Sequence, residues 1–108
     1  MKKIITSSPN LTIAQTTTMM IAPTVNIKSI PGEVIKVDAW IRMHDTDNDR
    51  DVLVIKDPEG VCYGTISNVF IDAFLTAAEV LGAMEGQSIT VVKATSKSGR
   101  DYFSLMIN

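Results

Sequence analysis

Among its 108 residues the chain has one cysteine (Cys62), one histidine (His44) and one tryptophan (Trp40). A lone cysteine excludes an internal disulfide and agrees with a reducing compartment. A lone histidine leaves little for catalysis. His44 is followed by Asp45, but neighbours in an extended chain point to opposite sides, so the pair is no triad fragment. No Gly-x-Gly-x-x-Gly, no phosphate-binding P-loop and no His-Glu-x-x-His occurs, and Cys62 has no basic neighbour to activate it. The expectation is a non-enzyme that carries no cofactor. No apolar run approaches the roughly 20 residues that span a bilayer. Met1-Lys2-Lys3-Ile4-Ile5 runs into Thr6-Ser7-Ser8-Pro9 rather than into the apolar core of a signal peptide. A cytoplasmic protein without membrane association is expected. Charge of one sign is also missing: 10 Lys and Arg stand against 12 Asp and Glu, for a net charge of −2. Any claim of nucleic-acid binding therefore rests on where the charges sit.

What the chain does have is apolar content, 45% of its residues, enough for one self-sufficient core but too short for two. Composition shifts at Pro31-Gly32. Residues 1–31 hold much of the Ser and Thr with weak periodicity, and read as an arm with one or two short strands. Residues 32–108 read as the folded domain. There, Val34 to Met43 alternates, with Ile35, Val37, Ala39, Ile41 and Met43 on one face and Lys36, Asp38, Trp40 and Arg42 on the other, the pattern of a half-buried strand. Val52 to Lys56 and Val61 to Ile66 flank the turn Asp57-Pro58-Glu59-Gly60 and predict a hairpin. Phe70, Ala73, Phe74, Ala77, Leu81 and Met84 recur at helical steps behind a Ser67 or Asn68 cap, ending at Gly82 and Gly86. Ser88 to Thr95 and Tyr102 to Ile107 are strands joined by Ser96-Lys97-Ser98-Gly99. The order strand, strand, strand, helix, strand, strand predicts a mainly β fold: a five-stranded Greek-key barrel of the OB type, with its helix between strands three and four. An open α+β sheet with the helix on one face is the alternative.

Two features carry chemistry. Asp45, Asp47, Asp49 and Asp51 recur at every second residue like the oxygen ligands of a calcium loop. However, Arg50 stands where that loop needs glycine, and Lys56 where it needs its bidentate Glu, so a solvated loop is expected and no metal site. Six of the twelve acids fall between Asp45 and Glu59, which makes this end repel phosphate. The second feature is aromatic and basic. Trp40, on the polar face between Lys36 and Arg42, is expected as a flat platform for a base with cations for the flanking phosphates. Tyr63 is a second platform, Lys56 and Lys93 add charge, and Lys97, Arg100 and Tyr102 make the last hairpin basic and aromatic.

Tyr63-Gly64-Thr65-Ile66-Ser67 leading into the helix, Val91-Val92-Lys93, and Lys97 to Phe103 together resemble the small OB-fold single-stranded DNA-binding proteins of phages and conjugative or mobile elements, over residues 32–108. The resemblance implies protection of replicating or transferred single-stranded DNA, RNA not being excluded, without cofactor or catalysis. The competing expectation is a structural or assembly module that uses the same face as a protein interface. Either way a homo-oligomer is expected, formed by the Thr-rich arm with Met19-Met20-Ile21 adding a strand to a neighbour's sheet.

Overall fold

A computed structural model describes residues 1–9 and 11–108, and no helix among them is long and apolar enough to cross a membrane. Among the described residues the chain forms eight strands and two helices: β1 (Lys2–Ser7), α1 (Ile13–Ile21), β2 (Val25–Asn26), a 3₁₀ turn (Ile27–Ser29), β3 (Val34–Lys36), β4 (Ala39–Asp45), β5 (Arg50–Lys56), β6 (Cys62–Thr65), α2 (Asn68–Leu81), β7 (Ser88–Thr95) and β8 (Asp101–Ile107). The fold is mainly β, as the alternating segments predict. The strands divide into a five-stranded sheet of order β1-β4-β5-β6-β2 and a three-stranded sheet of order β3-β7-β8.

The division begins at Val37-Asp38. The single strand expected over residues 34–43 changes partner there: Val37 N–H donates to Gln87 O at 2.8 Å, while Asp38 N–H donates to Lys56 O at 2.9 Å. Before this corner β3 pairs with β7, and after it β4 pairs with β5. The corner also changes which residues face the main core. Ile35 and Val37 point into it from β3 and the corner itself, but Trp40 does so from β4. Ala39, Ile41 and Met43 instead enter a second apolar cluster on the opposite face of the sheet. Both faces of β4 are therefore covered, which a half-buried strand would not require.

The main core lies between the two sheets and α2, whose Phe70, Ile71 and Phe74 are fully buried against Leu53, Ile55, Ile89 and Val91. α2 starts where expected, with the Ser67 hydroxyl accepting from Phe70 N–H at 3.3 Å. It stops at Gly82, whose φ of 82° suits a residue without Cβ. The second cluster is roofed by α1. Residues 1–31 hold the strands β1 and β2, as expected there, and in addition this helix, which was not expected. Thr12 and Gln15 form a reciprocal capping box, with Gln15 N–H donating to Thr12 Oγ1 at 3.1 Å and Thr12 N–H to Gln15 Oε1 at 2.9 Å. Met19, Met20 and Ile21 are thereby helical and are not available as a strand.

The expected five-stranded barrel is not closed. Closure would need β6 to meet β8; instead β2 runs parallel along the free edge of β6, Val25 beside Tyr63 and Asn26 beside Gly64. Gly64 makes room for this approach, because a Cβ there would lie 3.0 Å from Thr24 Oγ1 and 3.2 Å from Thr24 Cβ.

Candidate nucleic-acid interface

Nine residues are expected from sequence to contact nucleic acid, and the fold scatters them. Trp40 is 6% exposed and stands edge-on to Phe74, ring centroids 5.5 Å apart. It is a core residue and no outward platform; the corner at Val37-Asp38 is the physical reason. Its backbone is pinned from the other side, since the Ser8 hydroxyl accepts from Trp40 N–H at 3.0 Å. Tyr63 is half-buried against the same core, and its hydroxyl donates to Asp57 Oδ2 at 3.4 Å. Burial, and then the neighbouring Asp57 carboxylate, push this phenol above its usual range.

Three of the expected cations already have partners. Arg42 Nε donates to Asp51 Oδ2 at 2.9 Å, and the other oxygen of Asp51 is 2.8 Å from His44 Nδ1. Those hydrogen bonds, first from His44 and then from Arg42, hold the Asp51 carboxyl below the ordinary carboxylate range. Lys56 pairs with Asp38, and Lys93 lies 3.5 Å from Asp101. Lys36 has no ion-pair partner among the described residues but shares a shallow depression with Asp57 and Glu59. It pairs with Ser88 at the start of β7, about 23 Å along that strand from the β7–β8 turn.

Lys97, Arg100 and Tyr102 remain, and the fold does bring these together. β7 and β8 pair without interruption from Ile89–Ile107 to Thr95–Asp101. The turn between them is tightly bonded: Ser96 N–H donates to Arg100 O at 2.8 Å, Gly99 N–H to Ser96 O at 2.9 Å, and Arg100 N–H to Ser96 Oγ at 3.3 Å. Lys97 and Arg100 project from it exposed, and neither forms an ion pair among the described residues. Tyr102, 37% exposed, lies opposite the small side chain of Ala94. Strand alternation sends Tyr102 to the outer face, whereas Lys93 and Phe103 point to the α2 side.

The acidic loop closes on itself. Asp45 Oδ1 accepts from Asp47 N–H at 3.1 Å and its Oδ2 from Asn48 Nδ2 at 2.8 Å, and these bonds, led by the one from Asn48, lower the carboxyl's pKa. Among the described residues no three metal-ligating side chains converge. Sequence reasoning had no signal for the role of Ser8, whose partner Trp40 is 32 residues away. Comparison with models of known protein families, with curated proteins and with solved structures finds no match to this chain.

Proposed function

We propose that this chain is a sequence-tolerant single-stranded DNA-binding protein of OB type, without catalysis, serving replication or transfer of a phage or mobile element. The observation that carries the reading is the β7–β8 hairpin, where Tyr102, 37% exposed, follows directly on a hydrogen-bonded turn that carries Lys97 and Arg100, neither of them ion-paired among the described residues. A π-face with adjacent positive charge is what an extended strand of any sequence needs. The pairing pattern supports the OB assignment: a bent segment joins β4-β5-β6 to β3-β7-β8, with a helix between β6 and β7. In folds of that type the loop between the last two strands flanks the bound strand, which is where Lys97 and Arg100 project.

The test is fluorescence anisotropy of labelled oligo-dT at low salt, with oligo-rU as a second arm to separate DNA from RNA. Tyr102→Ala is expected to weaken binding about fivefold to one hundredfold at every sequence. Lys97→Ala and Arg100→Ala weaken it and flatten the salt dependence. Lys56→Ala, at a cation already paired with Asp38, leaves it nearly unchanged. Equal binding by the wild type and all three hairpin variants, or no binding by the wild type, overturns the assignment.

A further inference from the structure

The two sheets have four outer strands among the described residues: β1 and β2 in one, β3 and β8 in the other. Three of them carry features that prevent pairing with another chain. β1 has Lys2, Lys3 and a bulge between Ile4 and Thr6. β2 is two residues long and β3 three. β8 has none of these. It runs seven residues, Asp101–Ile107, in unbroken register with β7, without lysine, proline or bulge.

The surface beside β8 is apolar as well. An open groove of about 470 Å³ runs between β8 and α2, lined by Ala73, Ala77, Val80 and Leu81 of the helix and by Leu105 and Ile107 of the strand. Val80 is 78% exposed and Leu81 48%, with Met106 on the other face of β8 at 58%. Ala73, Ala77 and Val80 recur at helical spacing, so they form one stripe facing along the groove.

We propose that a second copy of this chain occupies this edge, β8 pairing antiparallel with its twin about a two-fold axis at Ser104. The strand suits itself in that register. Tyr102 falls opposite the second copy's Met106, an aromatic–sulfur pair, and Phe103 falls opposite its Leu105. The sheet becomes continuous from β7 through both β8 strands to the second β7. Both α2 helices then lie on one face of it, each covering the other's Val80 and Leu81. The two Lys97–Arg100 turns end up at opposite ends of the paired strands, about 24 Å apart by strand rise, so their charges do not collide.

The area decides the strength. A standard interface takes about 800 Å² from each partner and about 20–30 residues a side, here about one eighth of a 6324 Å² surface. Seven strand residues with the helix side of the groove fall short of that, so the dimer is reversible. This inference shares Tyr102 with the nucleic-acid reading but does not rest on that reading, and its test contains no nucleic acid.

Sedimentation equilibrium of the full chain, from about 5 µM to about 500 µM, is expected to show the mass rising from 11.8 kDa toward twice that value. Val80→Glu and Met106→Lys alter exposed side chains outside the core, and each is expected to weaken dimerisation at least about tenfold with an unchanged circular-dichroism spectrum. Ser104→Cys in a Cys62→Ser background is expected to form an intermolecular disulfide on mild oxidation, because the two positions face each other across the axis. A chain that stays monomeric throughout overturns the proposal and leaves the groove to another partner. A dimer indifferent to both substitutions and without the disulfide places the interface elsewhere and overturns it too.

Discussion

At Trp40 the planes of the indole and the Phe74 ring meet at 75°, an edge-to-face contact inside the main core. Replacing Trp40 with alanine removes the largest side chain of that cluster and is expected to cost about 3–5 kcal/mol in urea unfolding. Trp40→Phe is milder, about 1 kcal/mol, because it also removes an indole N–H that is buried without a partner among the described residues. The same burial predicts that saturating oligo-dT leaves the wild-type tryptophan emission nearly unshifted while anisotropy reports binding. A second residue-scale prediction concerns Asp51. Its carboxyl titrates below the ordinary range in the folded protein because His44 and Arg42 hold the ionised form. A depressed folded pKa means that the stabilisation is complete above the unfolded pKa and is lost as pH falls through the folded one. Asp51→Asn is therefore expected to lower the urea midpoint near neutral pH and to narrow the gap between variant and wild type in strong acid.

α1 is nine residues long, carries Thr16, Thr17 and Thr18, and buries only Met19 fully. A helix so short and so rich in β-branched residues is marginal on its own; its capping box and Met19 hold it. Met19 packs in the cluster with Ile41, Val54 and Cys62, and Cys62 is 5% exposed. Burial raises the Cys62 thiol above its usual pKa, so the native protein is expected to react slowly with a disulfide reagent such as DTNB. Met19→Ala loosens the roof and is expected to speed that reaction at least about tenfold, while Val34→Ala, at an exposed β3 position, leaves it unchanged. Thr12-x-x-Gln15 has the spacing of a capping box, a local signal that the reading of residues 1–31 as short strands passed over. The run of threonines that follows masks it, because their strand preference opposes the cap and only packing on the sheet decides the outcome.

At the scale of the whole molecule the charges leave a small electrostatic footprint. The net charge is −2, and three of the cations expected to meet phosphate are paired with Asp51, Asp38 and Asp101. With two hairpin cations that form no ion pair among the described residues, the logarithm of oligo-dT affinity is expected to fall with the logarithm of salt at a slope of about −1.4. Lys97→Ala is expected to halve that slope. A titration series at several salt concentrations measures both. A much steeper slope would mean that the paired cations release their carboxylates for phosphate.

Local sequence determined most elements of this protein. The α2 helix follows from Ser67, the Phe70–Phe74 spacing and Gly82; the hairpins follow from Pro58-Gly60 and Ser96–Gly99, since caps, turns and periodicity act within a few residues. The hairpin trio Lys97, Arg100 and Tyr102 was legible for the same reason, being close in the chain. What only the tertiary structure decided is which way β4 faces. Alternation assigns residues to two faces but does not say that both will be covered. It is blind to a corner made by Gln87 and Lys56 taking successive backbone N–H groups. That corner sends Trp40 inward. The partners that neutralise Arg42 and Lys93 arrive from neighbouring strands, and that of Lys56 from the corner itself, in a register set by sheet assembly; the same assembly brings in β2, which takes the edge that a closed barrel would have used.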